Sequence, residues 1–344
     1  MSMLNKHAYA LVAAGLIAVG APAASHASAL ATSTLDMTNF EILHSNGTIF
    51  DTTDFNPLVP ASSASISAAY NSAVGTTAAA GPSATGQIDL SPVCQGPDCP
   101  GVANNTFPAL TAPPTANFVA ADQNESGAPV SGLKDAGGNP ISTGATVQSG
   151  SWAVLAGQAP GPNTSSANNQ LNSSWRFALA GADSMTFKFD ASLYQEAFTS
   201  LDSVFPSSAQ TSSQFFIKIT DQNTGAVLFN WSPNGVNGDG VGATAESDPF
   251  DLNAGISRNS PFNGQSLLPG ETAGTPLSGS FSATTGVLAA NDLSGNPITY
   301  RLDATLKTTA AAVSVPEPGI LALMGIGLVG MAATQRFRGK KLAI

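Results

Sequence analysis

The chain has 344 residues, of which 12 are Lys or Arg and 22 are Asp or Glu, so its formal net charge at pH 7 is −10. This charge argues against a nucleic-acid-binding protein, which needs a basic surface, and a charged fraction of only 10% argues against a coiled coil. A hydrophobic fraction of 42% is enough for a buried core, while 34 glycines and 23 prolines indicate many turns. Composition therefore predicts an acidic, loop-rich and mainly β-structured protein of one or two domains.

The first 29 residues have the parts of a secretory signal peptide. Lys6 precedes an apolar run over residues 8–19, and Ala27-Ser28-Ala29 places small residues at the −3 and −1 positions that signal peptidase accepts. We predict cleavage after Ala29, with signal peptidase as a transient partner. An uncleaved N-terminal anchor is the alternative, but the apolar run is short for a membrane span.

Residues 30–150 are rich in Ala, Ser, Thr and Gly and contain few apolar clusters. Such a composition favours neither a helix nor a strand. Short strands are predicted at residues 40–43, 48–50 and 145–148, separated by long surface loops, and no repeat of fixed period is visible. We expect this region to be part of, or appended to, a body that spans residues 151–312.

Cys94 and Cys99 are the two cysteines of the chain. Export to an oxidising compartment favours a disulfide between them, and the intervening Gly96 and Pro97 can bend the chain so that the two side chains meet. A loop this small predicts a local stabilisation of about 2 kcal/mol. Zinc binding would require about four ligands, and the sequence offers no second cysteine pair.

The body is predicted to be built from short antiparallel strands. Apolar and polar residues alternate with the period of a half-buried strand in several segments, namely residues 175–179, 185–190, 215–221, 226–231, 277–283 and 298–308. Residues 215–221 and 226–231 predict a hairpin whose turn uses Gly225 at positive φ, with Val227, Phe229 and Trp231 facing the core from the second strand. Residues 193–205 fit either a short helix or a loop. The fold class predicted is an all-β antiparallel sandwich, jelly-roll-like, with long loops.

The last 30 residues contain three parts in a fixed order. Val315-Pro316-Glu317-Pro318 forms an extended segment in which the prolines disfavour a helix. The apolar residues 319–333 follow, and a basic cluster ends the chain. The apolar segment, about 22 Å long as a helix, is marginal for a hydrocarbon core of roughly 30 Å. The basic end favours a cytoplasmic location. A simple single-span membrane protein is the alternative interpretation.

This arrangement resembles the PEP-CTERM sorting signal of bacterial surface proteins, and the resemblance covers residues 315–344. It implies that an exosortase-type enzyme, a transient partner, recognises and cuts the tail after brief anchoring of the C-terminal helix in the inner membrane. The resemblance also implies delivery to the cell surface or extracellular matrix, in association with exopolysaccharide or biofilm. Members of this family commonly have β-rich bodies, which agrees with the predicted fold.

Processing at both ends would make the protein more acidic. The termini carry five of the 12 basic residues and one of the 22 acidic residues, so the segment between them has a net charge of −14. This charge favours solubility or contacts with divalent cations. It argues against direct binding of an anionic polysaccharide unless cations bridge the two.

The search for catalytic residues finds no complete constellation. His44 is the single histidine between the two terminal signals, and no Gly-x-Ser-x-Gly elbow accompanies it. We therefore interpret His44 as an exposed loop residue. Scattered carboxylates could serve a secreted hydrolase only if two of them met in a cleft, and the default expectation is that they are solvated.

Two binding sites remain as hypotheses. The Gly-rich segment 234–240 carries Asn234, Asn237 and Asp239, whose oxygens suit Ca²⁺, although the EF-hand spacing is absent. Exposed tryptophans could stack on sugars, and Trp152, Trp175 and Trp231 are the candidates. The leading hypothesis is a non-enzymatic surface or matrix protein without a cofactor; a carbohydrate- or Ca²⁺-binding module comes second and a secreted hydrolase third.

Overall fold

A computed structural model describes residues 28–81, 88–99, 104–135, 137–156, 163–200, 207–259, 270–272 and 275–314. In this part of the chain it contains fourteen β-strands and one 3-10 turn over Thr52–Asp54. The strands are β1 Ala29–Leu43, β2 Phe55–Tyr70, β3 Ala73–Gly81, β4 Ile88–Gln95, β5 Asn117–Ser126, β6 Ala145–Leu155, β7 Asn163–Leu179, β8 Thr186–Thr199, β9 Ser207–Asp221, β10 Val227–Trp231, β11 Ala243–Ser247, β12 Gly255–Asn259, β13 Leu277–Thr285 and β14 Tyr300–Ser314. The predicted all-β class is confirmed.

The strands form two antiparallel sheets. The first sheet has the strand order β11-β13-β8-β1-β6-β5-β4, and the second has the order β10-β9-β14-β7-β2-β3, with β12 also paired to β9. The first described strand, β1, is therefore central in one sheet, and the last described strand, β14, is central in the other. Side chains from both sheets meet in one continuous core, the arrangement of a sandwich. Its jelly-roll character stays a prediction.

One half of the core is aromatic. Phe187 and Phe189 of the first sheet contact Phe229, Phe215 and Trp231 of the second sheet, with ring centroids 5.2 to 5.7 Å apart. Aromatic rings dominate this end because inward positions along β8, β9 and β10 carry large side chains in period two. We call it the aromatic half.

The other half of the core is built from alanines and buried polar residues and is called the polar half. Its hydroxyl and amide groups bridge the sheets: Thr211 Oγ1 donates to the Thr32 carbonyl at 3.1 Å, and Ser151 Oγ donates to the Thr308 carbonyl at 3.1 Å. Asn169 Nδ2 donates to the Asp122 carbonyl at 2.9 Å. Side chains this short reach the opposite backbone only because the two sheets approach closely there.

A loop covers the outer face of the first sheet in the polar half. Leu30, Phe118 and Trp152 form a second small core beneath residues 104–116. Trp152 Nε1 donates to the Pro108 carbonyl at 2.9 Å, which fixes the loop on the sheet. The central strands of this sheet are consequently buried on both faces, whereas the outer face of the second sheet carries half-buried and exposed residues.

The prediction of few strands in residues 30–150 was wrong. Six strands, β1 to β6, lie wholly or largely in this region and pair with strands of the body, so the region is an integral part of the sandwich. The reason is the narrow polar half: in β2, Ala64, Ile66 and Ala68 point inward, and small residues suffice where the sheets approach closely. A search for large apolar clusters misses such strands.

Other predictions about the body hold. Ile217 pairs with Trp231 and Ile219 with Phe229 in the predicted hairpin, and Gly225 has φ +75° in its turn. Val227, predicted to face the core, is exposed because the register shifts between Val227 and Phe229. The helix considered for residues 193–205 was wrong, since β8 continues to Thr199; residues 201–206 lie outside the described part.

Candidate functional site

The chain enters and leaves the body at the same end. Ala29, the first residue of β1, pairs with Leu155 and Thr199, while Ser314, the last residue of β14, pairs with Asn163 and Ser207. These partners are the facing ends of β6 and β7 and of β8 and β9, which are consecutive strands in opposite sheets. Both terminal segments therefore start from the same end of the sandwich, the one that contains the polar half of the core.

The predicted sorting and cleavage residues adjoin these two strand ends in the sequence. Val315, Pro316, Glu317 and Pro318 follow directly after Ser314 and are outside the described residues, as are Ala27 and the predicted C-terminal helix. Ala29 is described and is fully buried. Cleavage after Ala29 stays a prediction, as does the role of Val315 to Pro318. No helix within the described ranges is long and apolar enough to span a membrane.

The cysteine pair closes a turn at the end of β4. Cys94 and Cys99 are joined in a disulfide with their Cα atoms 6.0 Å apart. Gly96 between them has φ +122°, and a Cβ there would lie 2.7 Å from the Asn117 carbonyl oxygen. This position therefore requires glycine. The disulfide holds the turn against β5, where Asp98 accepts a hydrogen bond from the backbone N–H of Asn117.

His44 is not an exposed loop residue as the sequence suggested. Its Nδ1 lies 2.7 Å from Asp183, its Nε2 lies 3.0 Å from Asp54, and its ring stacks on Phe50. Burial by itself would lower the pKa of His44, but the hydrogen bonds to Asp183 and Asp54 raise it overall. The signal that could have shown this is weak, because Asp183 is 139 residues away along the chain.

Because carboxylates occupy both ring nitrogens, His44 has no free nitrogen with which to activate a serine. The cluster instead ties the end of β1 to the start of β2 and to the β7–β8 connection. The arrangement stabilises the far end of the sandwich, opposite the two terminal segments.

Polar groups of the Gly-rich segment 234–240 form hydrogen bonds with neighbouring residues of the same turn. Glu246 accepts hydrogen bonds from the backbone N–H groups of Gly238, Asp239 and Gly240, and Asn237 Oδ1 accepts from the backbone of Asp248. Among the described residues no group of three His, Cys, Asp or Glu residues could hold a metal ion. The geometry therefore gives no support to the Ca²⁺ hypothesis at this segment.

The tryptophans expected to stack on sugars are buried. Trp152, Trp175 and Trp231 are at most 6% exposed. Trp231 Nε1 donates to the Asp248 carboxylate at 3.0 Å inside the core. Burial raises the pKa of Asp248 to about 6, although this hydrogen bond acts against the rise. These tryptophans stabilise the fold: the sugar-stacking hypothesis was wrong for Trp152 and Trp175, and the predicted inward position of Trp231 in the hairpin is confirmed.

A cavity of about 50 Å³ lies between the sheets in the aromatic half. Apolar side chains such as Met37, Phe40 and Phe215 line most of it, together with the buried carboxyl group of Glu125. Glu125 Oε2 has no hydrogen-bond partner within the described structure. Burial raises the pKa of Glu125 to about 7, so this group is easily protonated near neutral pH.

The chain was compared with curated proteins, with solved structures and with protein-family models. No curated protein and no solved structure matches the chain. A family model described as the PEP-CTERM protein-sorting motif matches residues 314–336, beginning at the last residue of β14. The chain therefore carries a PEP-CTERM sorting motif, which implies export and processing by an exosortase-type system.

Proposed function

We propose that this protein is a non-enzymatic passenger of an exosortase-type sorting system, released to the cell surface or extracellular matrix and associated there with exopolysaccharide. The observation that carries the proposal is the sorting motif at residues 314–336, placed directly after the last strand of a folded body. The signal peptide predicted at the other terminus agrees with export.

The topology supports the proposal. β14 is central in the second sheet and ends where the motif begins, so the body must fold around the strand that connects it to the membrane segment. Because both terminal segments start at the polar end, the body can remain folded while either segment is held in a membrane and cut. The far end, with His44, then points away from the membrane.

A non-enzymatic role is supported by the state of the chemically active groups. Cys94 and Cys99 are paired, and both nitrogens of His44 are bound by carboxylates. A secreted hydrolase would need a pair of carboxylates that face each other across a cleft. Glu196 accepts a hydrogen bond from the backbone N–H of Ala112, and Glu246 accepts one from the backbone N–H of Gly240, so neither of these two carboxylates is free for such a pair.

The test is replacement of Pro316, Glu317 and Pro318 by alanine in the native host. We expect the variant to accumulate in the inner membrane with its C-terminal tail intact to Ile344, while the tail of the wild-type protein is cut and the body is released. Thr309→Ala, on the outer face of β14, is the matched control and should be processed normally. Release of the triple variant at the wild-type rate would contradict the proposal.

A further inference from the structure

The outer face of the second sheet carries a regular array of mostly polar side chains. Strand registers place outward residues of β2, β7, β14 and β9 in seven rows, from Val59-Arg176-Arg301-Thr220 at the far end to Thr164-Val313-Ser208 at the end where the chain leaves. Successive rows are two residues apart along each strand, and neighbouring strands are ~4.8 Å apart. The face therefore measures about 40 Å by 15 Å. This face is called the lattice face.

The lattice face is basic on an acidic protein. Its basic residues are Arg176, Lys218, Arg301 and Lys307, four of the seven between the two terminal signals. The rows contain one acidic residue, Asp303, out of the 21 acidic residues between the two terminal signals. Because the segment has a net charge of −14, this concentration of positive charge on one face would attract a polyanion that the rest of the surface repels.

Two of the cations lie directly opposite each other. Arg301 pairs with Arg176 across β14 and β7, and both side chains are exposed. Like charges in directly opposite positions destabilise a sheet. Arg301 Nε contacts Asp303 Oδ1 at 2.8 Å, and Lys218 lies 3.9 Å from the same carboxylate, so one carboxylate serves two cations. A second carboxylate would relieve the Arg176–Arg301 repulsion, since guanidinium groups bind carboxylates in a bidentate manner.

The other rows offer uncharged hydrogen-bonding groups. Thr305 Oγ1 donates to Asn172 Oδ1 at 3.0 Å, and Ser212 and Thr309 share a hydrogen bond of 2.6 Å. Hydroxyl and amide groups at regular spacing can both donate to and accept from sugar hydroxyls. Phe216 occupies a position beside Thr305 and is half-buried, which gives the face one aromatic ring.

We propose that the lattice face binds an anionic polysaccharide, with its carboxylates at Arg176, Arg301 and Lys307 and its hydroxyls along the polar rows. This inference rests on the proposed matrix role and names the partner of that role. It replaces the expectation, drawn from net charge alone, that cations must bridge the protein to an anionic polymer. The rows that carry Arg176, Arg301 and Lys218 lie at the end opposite the sorting motif, where a tethered body is most accessible, and Lys307 lies in the middle row.

The test measures binding of the full chain, produced with its own terminal segments, to sodium polygalacturonate by affinity electrophoresis, with neutral dextran as the comparison polymer. We expect binding to polygalacturonate only, and weaker binding as salt increases. The variant Arg176→Gln/Arg301→Gln should bind at least tenfold more weakly. Lys134→Gln/Lys188→Gln removes the same charge from exposed sites elsewhere and should change binding less than twofold.

Several results would overturn the inference. Equal losses in the two double variants would show that net charge, rather than the lattice face, determines binding. Equal affinity for duplex DNA or for anionic lipid vesicles would show unselective attraction, and absence of polygalacturonate binding would remove the site. Thermal unfolding of each variant confirms that it is folded. None of these results affects processing at the sorting motif, which is measured separately.

Discussion

The two halves of the sandwich core reach a stable structure by different means. The aromatic half buries large rings, such as Phe189, Phe281 and Trp231, whose contribution scales with apolar area. The polar half buries alanines and groups such as Thr308 and Asn169 and joins the sheets with hydrogen bonds. Each such bond contributes only about 1 kcal/mol, but breaking one leaves a buried group unpaired.

The polar half is the half in which the described chain begins and ends. Both terminal segments start there, from β1 and β14, which are central strands of their sheets. Small side chains allow these strands to lie close together, so that hydrogen bonds between the sheets hold the two strands from which the terminal segments start. The comparison predicts different responses of the two halves to substitution.

The largest effect is expected from Phe189→Ala in the aromatic half. Phe189 is fully buried, and its ring contacts those of Phe215, Trp231 and Phe281. Removal of the ring should lower the free energy of unfolding by about 3–5 kcal/mol, measured by urea denaturation. Leu293→Ala, at a fully exposed position, is the control and should change it by less than about 0.5 kcal/mol.

The variant Glu125→Gln tests the aromatic half through the pH dependence of the free energy of unfolding. The pKa of Glu125 is raised to about 7 by burial, so the protonated form stabilises the fold below pH 4.5, and this stability is lost as the pH rises towards 7. Between pH 5 and pH 8 the wild-type protein should lose on the order of 2 kcal/mol relative to Glu125→Gln. Parallel stability curves for the two proteins would contradict the burial of a titrating carboxyl group.

Thr308→Val tests whether hydrogen bonds hold the polar half. The hydroxyl of Thr308 lies 2.8 Å from Ser149 Oγ and 3.1 Å from Ser151 Oγ. The substitution should cost about 1–2 kcal/mol, because it leaves buried hydroxyls with fewer partners. The triple variant with Ser149→Ala and Ser151→Ala should recover part of that loss. A triple variant with additive losses would indicate that packing, not pairing, dominates this half.

The smallest effect is expected at the His44 cluster. Burial opposes both shifts, but hydrogen bonds to Asp183 and Asp54 raise the pKa of His44, and hydrogen bonds from Ser45 and His44 lower the pKa of Asp183. The cluster should therefore stabilise the protein fully between about pH 4 and pH 6.5 and lose this contribution as the pH rises through the raised pKa of His44. His44→Gln should lower stability by about 1 kcal/mol at pH 6 and by less at pH 9. A difference that grows above pH 7 would contradict this assignment.

The aromatic half could be predicted from the sequence and the polar half could not. Ile217 and Ile219 alternate with the polar residues Lys218 and Thr220, so both the strand and its inward face are visible in the sequence. In β2, small residues such as Ala64 and Ser65 alternate, and the contrast between faces is too weak to read. Long-range contacts, such as that of His44 with Asp183, depend on strand order, which short-range patterns do not contain. The sorting motif was found because its signal is local.

The most direct test of the central claim is the intact mass of the wild-type protein from its native host. The account predicts a body without the residues before about Leu30 and without the apolar and basic residues that follow Pro318, carrying a closed Cys94–Cys99 disulfide. A protein that retains its full tail to Ile344 and resides in the inner membrane would contradict the account.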